Sequence, residues 1–158
     1  MAENSPAAQG DLIDLIGQIR NINGDPIDQA KVEIWQTDRF GRYIHRLDRD
    51  RGQRDQHFQG WGIHQTDATG RYRFRTIKPV AYRAGSQFRT PHIHFKVAAP
   101  GYRTLVTQMY FAGERLNQQD FVYQSLSSEA AKAQLTVALQ PNPQGEGEIA
   151  QFNIYLSN

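Results

Sequence analysis

Cysteine is absent from this chain, which excludes disulfides, thiolate metal sites and cysteine nucleophiles together. Long apolar runs are missing too. No window approaches the roughly 20 apolar residues that a bilayer-spanning helix requires. The charge excess is small: at +2, with Lys and Arg interleaved among Asp and Glu, there is no basic face to suggest nucleic acid. The stretch Met1 to Gly10 lacks both a basic start and an apolar segment, so no signal peptide is visible. Lack of disulfides suits the cytoplasm, the expected compartment, and does not exclude export of a form whose signal has been trimmed.

What is present suits one folded unit. A chain of 158 residues with 39% hydrophobic content can bury a core unaided, and no repeat or linker divides it. The expectation is a single domain over 1–158, with 1–10 as a flexible lead. Short strands separated by turn chemistry fill most of it. Leu15 to Ile22 ends in near alternation, and Asn23-Gly24-Asp25-Pro26 then supplies a turn. Lys31 to Gln36 alternates cleanly, which implies one buried and one exposed face. After the turn cluster Thr66-Asp67-Ala68-Thr69-Gly70, the strand Arg71 to Ile77 places Tyr72 and Phe74 on one face and arginines on the other. His92 to Val97, Leu105 to Phe111 and Phe152 to Leu156 complete the set. Ser127 to Ala133, with a capping residue and good helix formers, predicts a short helix. The fold class expected is all-β: an antiparallel β-sandwich with long active-site loops and at most a short helix.

Few residues in this pattern carry chemistry. His92 and His94 lie two apart on a strand, so both imidazoles project from one face and form a natural half of a metal site. Zinc asks for a further His, carboxylate or cysteine, and the iron(II) facial triad for one carboxylate. No acid stands out at a strand end. The chain does hold seven tyrosines, and a tyrosinate is a hard anion suited to a highly charged metal. Spacing alone does not choose among them. Trp35, within a strand, reads as core, whereas Trp61, in the glycine-flanked FQGWGIH, could line a pocket. His57 and His64 near that segment read as surface or supporting residues. The charged run Arg46 to Arg54 reads as a solvated loop, with a secondary reading in which its arginines attract an acidic aromatic substrate.

An ordered set of segments makes the pattern specific: VEIWQTDRFGRY (32–43), FQGWGIHQTDATGRYRFRTIKPVAY (58–82), RTPHIHFKV (89–97), LVTQMYF (105–111) and QFNIYL (151–156). Together they resemble the core of the intradiol ring-cleavage dioxygenases, the protocatechuate and catechol dioxygenase family. The resemblance implies a non-haem Fe(III) cofactor held by Tyr43, Tyr82, His92 and His94. It implies that Tyr82 is the axial phenolate that leaves when substrate binds, opposite His94, while Tyr43 and His92 are equatorial and stay. It also implies that Arg89 stabilises negative charge on the ring and that Gln108 hydrogen-bonds near it. The expected reaction inserts O2 into a catechol-type ring between its hydroxylated carbons, giving a muconate-type dicarboxylic acid. Iron(III), two phenolates and two neutral imidazoles sum to one positive charge, which a hydroxide would neutralise. A catechol can displace that hydroxide and one phenolate, and these can accept its protons.

Two departures from the family stand out. Few residues precede the first strand, so the N-terminal helical region of the catechol type is expected to be lacking. The protocatechuate type often carries a Trp shortly after the second tyrosine, whereas Arg83-Ala84-Gly85 follow here, which argues against a carboxylate-bearing ring as the preferred substrate. The expected partners are a small catechol-type molecule and O2, with neither nucleic acid nor membrane, and with homo-oligomerisation left open. A non-catalytic binding module on a transthyretin-like β-sandwich is the alternative, since it would share the strand pattern and differ only in the site.

Overall fold

The computed structural model describes residues 7–44 and 53–158. The charged run Arg46 to Arg54 thus lies almost wholly outside the described residues. Among the described residues there are twelve strands: β1 (Leu12–Asn21), β2 (Lys31–Trp35), β3 (Trp61–Gln65), β4 (Arg71–Ile77), β5 (Tyr82–Ala84), β6 (Gln87–Arg89), β7 (His92–Ala98), β8 (Leu105–Phe111), β9 (Thr136–Val137), β10 (Gln140–Pro141), β11 (Glu148–Gln151) and β12 (Ile154–Leu156). A 3-10 turn at Arg115–Gln118 precedes two short helices, α1 (Phe121–Gln124) and α2 (Glu129–Leu135). The expected helix is α2, capped by the Ser128 side chain, which accepts from the Ala131 N–H. No described helix is long and apolar enough to cross a membrane.

The strands form two five-stranded sheets and a separate two-stranded ribbon. In the first sheet, β1 pairs antiparallel with β4 and parallel with β11 and β12. The second runs β3-β2-β7-β8-β9, antiparallel except between β8 and β9. The sandwich is therefore all-β as expected, with parallel pairs where the closing segments return beside β1 and β8. Among the described residues, β5 and β6 pair only with each other.

Period-two alternation explains how the sheets meet. Ile13, Leu15 and Ile19 of β1 face Val32 and Ile34 of β2, Ile93, Phe95 and Val97 of β7, and Met109 and Phe111 of β8 in one apolar cluster. Phe95 and Phe152 meet edge to face across it at 5.0 Å. Burying each such side chain contributes about 1.5–3 kcal/mol. Gly17 has no side chain for a reason of space, because a Cβ there would overlap the carbonyl oxygen of Phe152, to which the buried Tyr72 hydroxyl donates. Since Ile93, Phe95 and Val97 point inward, His92, His94 and Lys96 must point to the other side of the sheet. The fold thereby exposes a working face at one end of β7.

Candidate metal centre

Four donor atoms from three supports converge on that face. The Tyr43 hydroxyl lies 3.1 Å from His94 Nε2, 3.4 Å from His92 Nε2 and 3.3 Å from the Tyr82 hydroxyl. The two histidine Nε2 atoms are 3.2 Å apart. Ligand atoms bound at about 2.0–2.1 Å to a shared ion lie roughly 3.0–3.4 Å from one another. The set has that spacing.

The charge state of these groups matches a cation. The Thr90 carbonyl, 2.6 Å from His92 Nδ1, can only accept, so Nδ1 carries the proton and Nε2 presents a lone pair. Burial holds both imidazoles neutral, and each is pushed down to about 4, for His94 with help from the neighbouring His92 and Arg89. Burial, reinforced by the hydrogen bond to Tyr82, pushes the Tyr43 phenol well above its usual range. A phenolate forms there only if a positive charge is supplied. Among the described residues no three His, Asp or Glu side chains cluster to hold a metal, and the donors that stand beside the two histidines are the two phenols.

Each donor reaches the centre by a local device. His94 stacks flat on Trp35 from the paired strand β2, with ring centres 4.8 Å apart and planes 3° from parallel. Trp35 is thus a half-buried wall of the site and not the core residue that its strand position suggested. Alternation put Val32 and Ile34 inside, which leaves Trp35 on the working face. Trp61 pairs with Trp35 one strand further out, is 56% exposed, and lines a separate cavity of about 380 Å³ with Gln36, His57 and Phe74. His57 belongs to that cavity and His64 packs against Phe74, so neither joins the tetrad.

Tyr43 follows a loop wound around the wholly buried Asp38. One carboxylate oxygen accepts from the N–H groups of Phe40 (2.8 Å) and Arg42 (3.0 Å), and the other from Asp55 N–H (2.8 Å). Gly41 takes φ +73° in this turn, and a Cβ on it would stand 2.8 Å from the Tyr82 Cβ. The two tyrosine-bearing segments therefore touch with no side chain between them. Sequence reasoning did not single out Asp38, although an Asp three residues before a Gly is a turn signature.

Tyr82 opens β5 and sits directly across from Arg89, which ends β6. Arg89 is buried yet charged: burial disfavours its charge, but the Asp120 carboxylate at 2.8 Å outweighs that and raises its pKa. Breaking such a buried pair costs about 3–5 kcal/mol. The Arg89 Nη2 donates to Gln108 Oε1 at 2.6 Å, and the Tyr110 hydroxyl donates to the same oxygen at 3.1 Å. Gln108 is also the direct cross-strand partner of His94. The six site residues that the family resemblance implies, Tyr43, Tyr82, Arg89, His92, His94 and Gln108, thus gather at one end of the second sheet. Asp120, which anchors Arg89, was missed because it lies outside the matched segments.

The family model described as dioxygenase matches residues 2–158, nearly the whole chain. The chain belongs to the intradiol dioxygenase family. It is 38% identical over 153 residues to a protocatechuate 3,4-dioxygenase beta chain from Burkholderia cepacia, covering 93% of this chain and 65% of that one. With a hydroxyquinol 1,2-dioxygenase of Corynebacterium glutamicum the identity is 31%, covering 87% of this chain and 49% of that one. The chain thus spans between about half and two-thirds of the length of these relatives. Among solved structures, catechol 1,2-dioxygenase from Acinetobacter sp. ADP1 superposes with a TM-score of 0.78 at 30% identity, over 98% of this chain and 54% of that one. The dioxygenase domain of a carbohydrate-binding fusion from Streptomyces sp. SirexAA-E gives 0.72 at 27% identity, over 97% of this chain and 84% of that one.

Proposed function

We propose that the protein is an intradiol dioxygenase that opens catechol-type rings between the two hydroxylated carbons, placing both atoms of O2 in a muconate-type dicarboxylic acid. The observation that carries this reading is the convergence of two phenol oxygens and two neutral imidazole nitrogens beside a fixed guanidinium. Tyr43, Tyr82, His92 and His94 would hold a non-haem iron(III). When bound, iron(III) supplies a Lewis-acidic centre able to take both catechol oxygens and to make the ring reactive towards O2.

The chain's own groups do the rest. His92 and His94 remain neutral donors fixed by Thr90 and Trp35. Tyr82, on the separate ribbon, is the base whose Oη takes up a proton from a catechol hydroxyl. Tyr43 keeps its place between the imidazoles. Arg89 faces negative charge that develops on the ring, and cannot readily lose its own proton. Gln108 holds that guanidinium in position. The substrate class is a small catechol. The position after Tyr82, filled by Arg83-Ala84, leaves no tryptophan wall for a ring carboxylate.

Iron(III) loading tests the reading. The loaded protein should turn red to purple from tyrosinate-to-iron charge transfer, and should consume O2 with at least one of catechol, hydroxyquinol or protocatechuate. Protein that stays colourless on loading and consumes no O2 with the panel overturns it. The same site gives a non-catalytic sandwich module no reason to gather these donors around a buried Arg89.

A further inference from the structure

Asp120 is wholly buried between the 3-10 turn and α1. Its two oxygens divide their work. Oδ1 accepts from the N–H groups of Val122 (3.0 Å) and Tyr123 (2.9 Å) and so caps α1. Oδ2 accepts from Arg89 Nε and from the Thr90 N–H, each at 2.8 Å. A cap for a single helical turn needs only the first oxygen. The second one ties down two successive residues that each lead into the site. Arg89 passes the constraint to Gln108 through Nη2 at 2.6 Å. Thr90 passes it to His92, whose Nδ1–H donates to the Thr90 carbonyl at 2.6 Å. The circuit closes on itself: the Tyr123 ring meets Tyr110 edge to face at 4.9 Å, and the Tyr110 hydroxyl donates to Gln108.

We propose that Asp120 is a positioning residue of the ring-opening reaction, one carboxylate oxygen setting both the aim of the Arg89 guanidinium and the tilt of the His92 imidazole. This rests on the dioxygenase reading of the same site. Asp120 touches neither ring nor metal, and acts through Arg89 and the Thr90 peptide. An ordinary cap would not need its charge. Here the charge compensates a buried guanidinium that has to stay cationic.

The test is a double-mutant cycle with Asp120→Asn and Arg89→Gln in iron(III)-loaded protein, using catechol as substrate. An amide puts an NH2 where one carboxylate oxygen met two N–H donors, so either the cap or the tie is lost. Asp120→Asn should lower kcat roughly 10- to 100-fold, with a smaller change in KM. It should also displace the charge-transfer band as His92 turns. The double variant should lose little more than Arg89→Gln alone, whereas an independent structural role would multiply the two losses. Ser128→Ala, which removes the remote cap of α2, should leave kcat and the band unchanged.

Amide exchange in the unmodified, iron-free protein gives a second measurement that does not depend on the variants folding. The Thr90 N–H should exchange as slowly as the amides of β7, and exchange at the rate of exposed loops overturns the tie. Active wild type with Asp120→Asn within threefold of it, and an unmoved band, overturns the inference alone. Wild type that takes up iron yet opens no ring overturns the dioxygenase reading itself.

Discussion

His92 and His94 stand on β7, which is hydrogen-bonded on both sides by β2 and β8 and packs Ile93, Phe95 and Val97 into the core. Tyr43 stands on a loop, and Tyr82 on a ribbon whose two strands pair with no other described strand. One half of the centre therefore shares the rigidity of the sandwich, while the other can shift without disturbing the ladders of either five-stranded sheet. That asymmetry suits the proposed chemistry, in which the Tyr82 phenolate would give way and return. The site reads as a fixed pair of nitrogens facing an adjustable pair of oxygens.

Attacking the fixed half should produce the largest effect. His92→Ala or His94→Ala should abolish iron binding, measured as metal content after loading, and with it colour and turnover. Unchanged iron content in both would show that the ligand assignment is wrong. On the adjustable half the two tyrosines should part company. Tyr82→Phe should keep part of the iron and lose most of its turnover, while Tyr43→Phe, whose hydroxyl touches both imidazoles, should lose more of the iron. Equal metal content in the two variants would erase the distinction between them.

A smaller effect is expected where the two tyrosine segments touch. Gly41→Ala must strain a positive φ and push Tyr82 away, which should destabilise the protein by about 1–3 kcal/mol in urea melts and weaken iron binding. Wild-type stability and metal content in that variant would show that the contact is slack. The smallest effect is one of pH on the metal-free protein. Both histidines have folded values near 4 against an ordinary 6.5. The unfolded chain therefore binds more protons between those values, and stability should rise with pH across that window and level off above it. His94→Gln should flatten the rise, and an unaltered slope would mean that the imidazoles are not held neutral by burial.

How far the sequence disclosed this arrangement differs between the two halves. Strand alternation placed His92 and His94 on one face without further help, and Arg71 to Ile77 and Leu105 to Phe111 emerged as strands with the bounds observed. The tyrosines had no periodicity to betray them, because loops and a three-residue strand carry none; only the ordered family segments pointed to Tyr43 and Tyr82. Trp35 was misjudged because strand residence was equated with burial, although its own alternation assigned it to the working face. Trp61 to Gln65, set between glycines and a turn, is absent from the strands the sequence predicts and proves to be the edge strand β3. Asp38 and Asp120 were invisible for a different reason. Each has a local turn or cap role that many Asp residues share, and its second oxygen reaches a partner 17 to 31 residues away, a reach that leaves no local pattern.

At the far end of the ribbon, the turn at Gly85 meets open space, since a Cβ there would find nothing within 4 Å. Tyr82 and Arg89 close the ribbon at its other end, so the tip can be rebuilt with little direct disturbance of the chemistry. For an engineer, this is the graft point. Residues inserted between Ala84 and Gln87 would lengthen the ribbon at the end away from Tyr82 and Arg89, whereas even a single methyl at Gly41 would press on the Tyr82 side chain.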